Sequence, residues 1–367
     1  MQANTAWTSQ AYQKNTGTAQ HVGLVPSRPD PGRSGYIDSW RCFAVMLVVA
    51  AHLVETRTPG EVPDEGNFYH LGQVGVYIFF FLSGFVVSRA CMHEVAKTGS
   101  FSTAGFYVRR FFRIAPPLLL YLVCCAGLAA AGVIAVDLAD IAAASLYVCN
   151  VEWARCSWWV AHTWSLAFEE QFYLLFPFLF AWRHLGRRPG TPMLLLALGF
   201  ASLPVLFPTG PHGRVGLPVV HGLFLLGYLS ACHGEKWKRL RLPTLVLVLA
   251  ALVTFAPPLV LLGDDHRFYK LAYLVSVPLM VMASGAAASK LRALFEFRWV
   301  RYVGLISYSI YLWQQLLTGL LPPQTPLVLC LLSVAMLIAG CALLYEGVEK
   351  PLIRFSRRLS ASLARAA

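Results

Sequence analysis

From Tyr36 onward the chain is a succession of apolar runs separated by short gaps. The runs fall at 36–54, 71–91, 115–136, 164–182, 192–208, 217–233, 242–262, 269–289, 302–320 and 326–346. Each is near the ~20 residues that a helix needs to cross the hydrocarbon layer of a bilayer. Composition agrees: 57% of the 367 residues are hydrophobic and 13% are charged, about half the charged share of soluble domains. The expected fold is all-α, a polytopic integral membrane bundle of about ten transmembrane helices. An eleventh apolar stretch, 140–150, is too short to cross and is expected to be re-entrant or interfacial, ahead of Trp158 and Trp159.

The net charge of +12 does not indicate a nucleic-acid partner, because the positive charges recur in short clusters between apolar runs rather than in one patch. With the N-terminus inside, alternation of ten helices leaves only Arg57, Arg155, Arg214, Arg267 and Lys270 outside, of 30 Lys and Arg residues. That bias predicts cytoplasmic N- and C-termini in the cell membrane. Residues 1–34, rich in Thr, Ser, Gln, Gly and Pro, are expected to be a disordered cytoplasmic tail, and 351–367 a short basic one. The chemistry is then expected from the bundle, 35–350. Seven of the nine cysteines lie in or beside apolar segments without ligand spacing, so no metal site is expected. Cys149 and Cys156 fall in a loop placed outside the cytoplasm, where a disulfide between them is possible.

Polar groups inside apolar helices are costly, which makes them candidates for function. In the first helix, His52 follows Arg41 by eleven residues, a rotation only about 20° past three full turns. The two side chains share a face, about 16 Å apart along the axis. Asp38, one turn before Arg41, can hold the guanidinium; the plainer reading makes Asp38 and Arg41 a membrane boundary and lets His52 snorkel outward. In the fourth helix Ser165, Glu169 and Tyr173 form a stripe at i, i+4, i+8. Glu169 lies near the inferred depth of His52, and an imidazole beside a carboxylate can activate a hydroxyl. Arg110 and Arg113, on neighbouring turns near the cytoplasmic surface, can present two forks to phosphate oxygens or act as a positive-inside anchor. Ser83 and Gly84 in the second helix suit close packing. In the ninth, Ser307, Tyr311 and Gln314 share a face that can hydrogen-bond a polar substrate.

Taken together, these segments resemble the membrane acyltransferases of the acyltransferase 3 family, in the family's order, from about Tyr36 to Arg358. Arg41 and His52 match its Arg, ten residues, His signature. Gly75 to Phe85 is similar to its aromatic-rich second helix, and Arg110 with Arg113 to its Arg-x-x-Arg element. Trp164-Ser165-Leu166 with Glu169-Glu170-Gln171-Phe172-Tyr173 is the most specific match. Gly304 to Trp313, including Ser307 and Tyr308, resembles the Gly-x-x-Ser-Tyr region, and Glu349-Lys350-Pro351 the closing Glu-x-Pro. Where the family commonly has a histidine, this chain has Gln314.

The resemblance implies an O-acyltransferase that moves an acetyl group from acetyl-CoA, a co-substrate rather than a bound cofactor, to a hydroxyl of a polysaccharide, O-antigen, lipid-linked sugar or glycoside. It makes Arg110, Arg113 and Arg41 the expected contacts of the CoA donor. His52 would remove the hydroxyl proton or carry the acyl group briefly, with Glu169 orienting it. Asp38, Ser83, Trp164, Ser165, Glu170, Tyr173, Ser307, Tyr308, Tyr311 and Gln314 are the expected supporting or acceptor-side residues. Polysaccharide assembly proteins are the expected partners. The rival reading is a transporter or flippase for an anionic or glycosylated solute, since intramembrane Arg, His and Glu also line transport paths. Against it, the polar motifs of helices 1–4 have no counterpart in helices 6–9.

Overall fold

The computed structural model describes residues 35–57, 67–151, 154, 156–185, 216–234, 237, 244–260, 267–285 and 297–366. Among these there is no strand. The helices are α1 Gly35–Arg57, α2 Asn67–Thr98, α3 Thr103–Ala130, α4 Leu138–Ser145, α5 Trp158–Ala161, α6 Trp164–Leu185, α7 Gly216–Cys232, α8 Thr244–Val260, α9 Arg267–Gly285, α10 Arg298–Leu305, α11 Ser307–Leu320, α12 Leu327–Leu344 and α13 Lys350–Ala366. A π turn, Tyr345–Glu349, joins the last two. The expected helix at 192–208 lies outside the described residues.

Four stretches are long and apolar enough to cross a membrane: Gly35–Arg57, His70–Thr98, Thr103–Ala130 and Leu327–Leu363. Shorter apolar helices run over Val219–Cys232, Thr244–Ala256 and Leu271–Gly285. The protein is thus helical and membrane-embedded. The second of the four stretches is the most buried and the last the least. α2 accordingly forms the centre of the bundle, with Phe80, Phe81 and Phe85 in its core. On α12, Leu327, Val328, Leu331, Met336 and Leu343 stay exposed, an apolar surface that hydrocarbon satisfies and water does not.

Backbone approach fixes how α2 sits. A Cβ on Gly84 would meet the Phe224 carbonyl of α7, and one on Gly227 would meet Phe81 and Phe85 of α2. Glycines facing each other's helices let two backbones touch, which supplies much of the packing where lipid offers no hydrophobic drive. On the other flank, a Cβ on Gly75 would lie 2.5 Å from the Ala44 carbonyl oxygen of α1.

Three departures from the sequence expectation have a visible local cause. The third helix starts at Thr103 rather than 115, because Ser102 caps it by accepting from the Gly105 amide and Pro116 and Pro117 are carried inside it. The expected helix over 302–320 is interrupted at Ile306 between α10 and α11. The interruption follows Gly304, where a Cβ would collide with the Asp38 carbonyl of α1. Third, the basic segment is helical as far as Ala366, with Pro351 in the first turn of α13, where proline is tolerated. That helix packs on α3 through Phe355 and Phe112, with ring centroids 5.3 Å apart, and through a hydrogen bond from Arg109 to Ser360.

The stretch at 140–150 contributes α4, which at eight residues spans only about 12 Å. Asp137 and Asp140 form a capping box at its start. The second Asp140 oxygen accepts from the Ser157 amide at 2.6 Å, and Cys149 and Cys156 form a disulfide. The two ties bracket one short loop and fix the entry into α5. Closing so small a loop stabilises the fold by roughly 2.5 kcal/mol in the chain-entropy account. A Cys149→Ser, Cys156→Ser pair of substitutions should therefore lower the thermal midpoint in detergent; an unchanged midpoint would mean that Asp140 alone holds the loop.

Candidate active site

α1 runs unbroken through Asp38, Arg41 and His52, so the last two are presented on one face at two heights. The upper station is built around His52. Its Nδ1 lies 2.9 Å from Oε1 of Gln314 on α11. Gln314 Nε2 donates to Gln315 Oε1 at 3.2 Å, and Gln315 Nε2 donates to the Trp158 carbonyl at 2.6 Å. This chain has only one consistent polarity. A backbone carbonyl can only accept, so Gln315 must turn its amide nitrogen to Trp158 and its oxygen to Gln314. Gln314 must then turn its nitrogen to Gln315 and its oxygen to His52. An amide oxygen cannot donate, so the Nδ1 of His52 carries the proton. The neutral ring keeps its lone pair on Nε2, which has no hydrogen-bond partner among the described residues. Trp158 packs edge-on against the imidazole, centroids 6.3 Å apart.

The carboxylate expected beside His52 is elsewhere. Glu169 Oε1 accepts from Ser83 of α2 at 2.5 Å and from Tyr173, one turn along α6, in a short hydrogen bond. With both donors on one oxygen, Glu169 is committed to α2 and its own helix, and it makes no hydrogen bond to His52. The amide of Gln314 takes the place expected for the carboxylate. Arg110 completes this second cluster, its guanidinium 4.9 Å from the centre of the Tyr173 ring and 5.8 Å from that of Phe106. Glu170 leaves a buried oxygen, Oε1, without a partner.

The lower station surrounds Glu349, which is 5% exposed and accepts a short hydrogen bond from Ser309 of α11. Arg113 and Arg41 both lie within electrostatic reach of it. Asp38 is buried at the foot of the same helix. Tyr308 donates to the Ile114 carbonyl of α3 at 2.7 Å, which ties α11 to the helix that carries Arg110 and Arg113. Between the stations Tyr311 and Ser165 share a hydrogen bond of 2.7 Å, and Tyr311 also donates to the His162 carbonyl. Trp164 packs against Phe80 and Phe168. Ser307 is fully buried with its hydroxyl unpaired.

One helix therefore organises much of the site. α11 places Tyr311, Gln314 and Gln315 on one side and Ser309 on the other, and through them orders Ser165, His52, Trp158 and Glu349. Sequence reasoning did not mark Ser309, Gln315, Glu349 or Trp158 as site residues, nor His162, whose carbonyl accepts from Tyr311. Glu349 carried a usable signal, an ionisable residue closing a long apolar run. Gln315 carried none beyond its neighbour. No group of His, Cys, Asp and Glu able to hold a metal occurs among the described residues.

Comparison with known proteins adds the following. A family model for an acyltransferase domain, acyltransferase 3, matches residues 34–346. Over 360 residues the chain is 26% identical to the peptidoglycan O-acetyltransferase OatA of Listeria monocytogenes, covering 86% of this chain and 55% of that protein. Over 319 residues it is 25% identical to the O-acetyltransferase OatA of Staphylococcus aureus, covering 76% of this chain and 49% of that protein. The chain thus spans about half the length of the curated relatives it matches. No solved structure matches it.

Proposed function

The chain belongs to the acyltransferase 3 family, and on that premise we propose that it is a membrane O-acyltransferase moving an acetyl group from acetyl-CoA to a hydroxyl of a cell-surface carbohydrate. The observation that carries this reading is the amide chain from Trp158 through Gln315 and Gln314 to His52. It holds one imidazole in the tautomer that a general base for hydroxyl attack requires. In the step it serves, His52 Nε2 takes the proton of the acceptor hydroxyl as the oxygen attacks the thioester carbonyl carbon. The carbon–sulfur bond then breaks, and the proton passes from Nε2 to the departing CoA sulfur.

The donor enters from the end of the bundle that holds Arg41, Arg110 and Arg113. Arg113 and Arg41 lie within electrostatic reach of Glu349, and guanidinium groups are suited to phosphate oxygens such as those of CoA. The acceptor approaches from the end that holds His52 and the disulfide loop. A disulfide persists in an oxidising compartment, which supports placing that loop outside the cytoplasm and both termini inside. Ten crossings of the cytoplasmic membrane follow from the same alternation of charge. The named activity of the Listeria relative makes peptidoglycan one acceptor to try beside polysaccharide and lipid-linked sugars, and it favours a polysaccharide assembly partner.

The test uses membranes carrying the full chain, radiolabelled acetyl-CoA and a panel of these acceptors. Label recovered on a glycan as an alkali-labile ester supports the proposal. A chain that transports label-free glycan but esterifies none of the panel would overturn it.

A further inference from the structure

His162 lies in the turn between α5 and α6. It is 3% exposed, and neither ring nitrogen has a hydrogen-bond partner. The Leu312 backbone approaches the ring but without hydrogen-bonding geometry. Leaving both nitrogens of an imidazole unpaired in a dry interior forfeits about 1–3 kcal/mol for each, so native cores rarely do it. Two tyrosines enclose the ring, Tyr121 edge-on at 5.5 Å between centroids and Tyr311 tilted at 5.6 Å. Its own carbonyl is tied down by Tyr311. The ring is therefore held in place while its polar atoms stay free, the condition of a group waiting for a ligand.

α11 shows where that ligand would sit. Tyr311, which packs on His162, and Gln314, which holds His52, are three residues apart on α11 and therefore on the same side, about 4.5 Å apart along the axis. The two imidazoles interact electrostatically. Burial and the neighbouring His52 both disfavour a protonated His162, so its ring is neutral and offers one N–H donor. No carboxylate hydrogen-bonds it to draw that proton away.

We infer that His162 is the electrophilic partner of His52, a neutral imidazole whose N–H donates to the thioester carbonyl oxygen of the acyl donor. This rests on the acyltransferase reading above. When the acceptor oxygen attacks the carbonyl carbon, the π electrons move onto that oxygen and the hydrogen bond from His162 strengthens. When the tetrahedral intermediate collapses, the carbonyl re-forms, the carbon–sulfur bond breaks, and the proton held by His52 passes to the sulfur. His162 gains and loses no proton. A donor aimed at the developing oxyanion acts mainly in the transition state.

The test compares His162→Phe and His162→Gln with the parent in labelled-acetyl transfer, after confirming that each elutes as a single detergent-solubilised species. Phenylalanine keeps the aromatic packing between Tyr121 and Tyr311 and removes the donor; glutamine retains an N–H. The Phe variant should lose roughly 100-fold in kcat with an almost unchanged KM for acetyl-CoA, and the Gln variant should recover part of that loss. Full activity in the folded Phe variant, or a Gln variant no better than Phe, would overturn the inference. So would a loss confined to KM. Should the Phe variant not fold, the Gln variant alone decides: more than about 1000-fold loss in kcat is beyond what a retained donor allows. His52→Ala is run alongside. An active His52→Ala enzyme would defeat the functional reading itself, whereas an inactive one beside a fully active Phe variant would defeat only the role of His162.

Discussion

His52→Ala lowers the rate of acetyl transfer by about 10³-fold or more while the protein folds and still binds acetyl-CoA. The magnitude is that of removing a positioned general base. The fold should survive because His52 is only partly buried and the one hydrogen bond of its ring goes to Gln314. Gln314→Leu should act in the same direction but less, near 100-fold, because the imidazole remains and only the control of its tautomer and orientation is lost. Donor binding is expected to be spared in both, since Arg41, Arg110 and Arg113 belong to the opposite end of the site. Steady-state kinetics with separate kcat and KM for acetyl-CoA check this. A kcat unchanged in His52→Ala would remove the base from the mechanism.

The second large effect concerns folding rather than chemistry. Gly84→Val forces a branched side chain into the Phe224 carbonyl of α7, where backbone cannot yield as a flexible side chain would. Overpacking of this kind costs about 3 kcal/mol, and here it separates the central helix from its main neighbour. Because Ser83 and Gly84 are adjacent, separation would also pull the hydroxyl of Ser83 from Glu169. Most of the protein should then fail to elute as one species from a sizing column in detergent. Gly340→Val is the control: a Cβ there meets nothing within 4 Å, so its yield should match the parent. Equal yields for the two variants would show that α2 and α7 do not depend on contact at Gly84.

Much of this arrangement was legible in the sequence, and the part that was not has a physical reason. Apolar run length located α1, α2 and α12 because a crossing helix needs a near-fixed number of residues. Helical periodicity placed Arg41 and His52 on one face because 3.6 residues per turn holds within any unbroken helix. What periodicity cannot supply is the partner across a helix interface. Depth made Glu169 a reasonable companion for His52, yet two hydroxyls, from Ser83 and Tyr173, claim the carboxylate, and the amide of Gln314 reaches the imidazole. A sequence gives the height of a side chain but not its azimuth relative to another helix.

The same limit hid His162. Its position beside the Trp164-Ser165-Leu166 block was plain, but an apolar flank suggests an ordinary core histidine until both nitrogens are found without partners. Gln315 was invisible for another reason: it acts only by turning Gln314, so its role exists solely in the chain of amides. The break at Ile306 is also a tertiary effect, set by Gly304 against the backbone of α1, with no proline or turn sequence to announce it.

Everything turns on which nitrogen of His52 bears its proton. Solid-state 15N NMR of the histidine-labelled protein in lipid, with the His52 signals assigned by their loss in His52→Ala, reads this without any substrate. The amide chain predicts a protonated Nδ1 and a bare Nε2 in the neutral ring. A proton found on Nε2, with Nδ1 bare, would contradict the account.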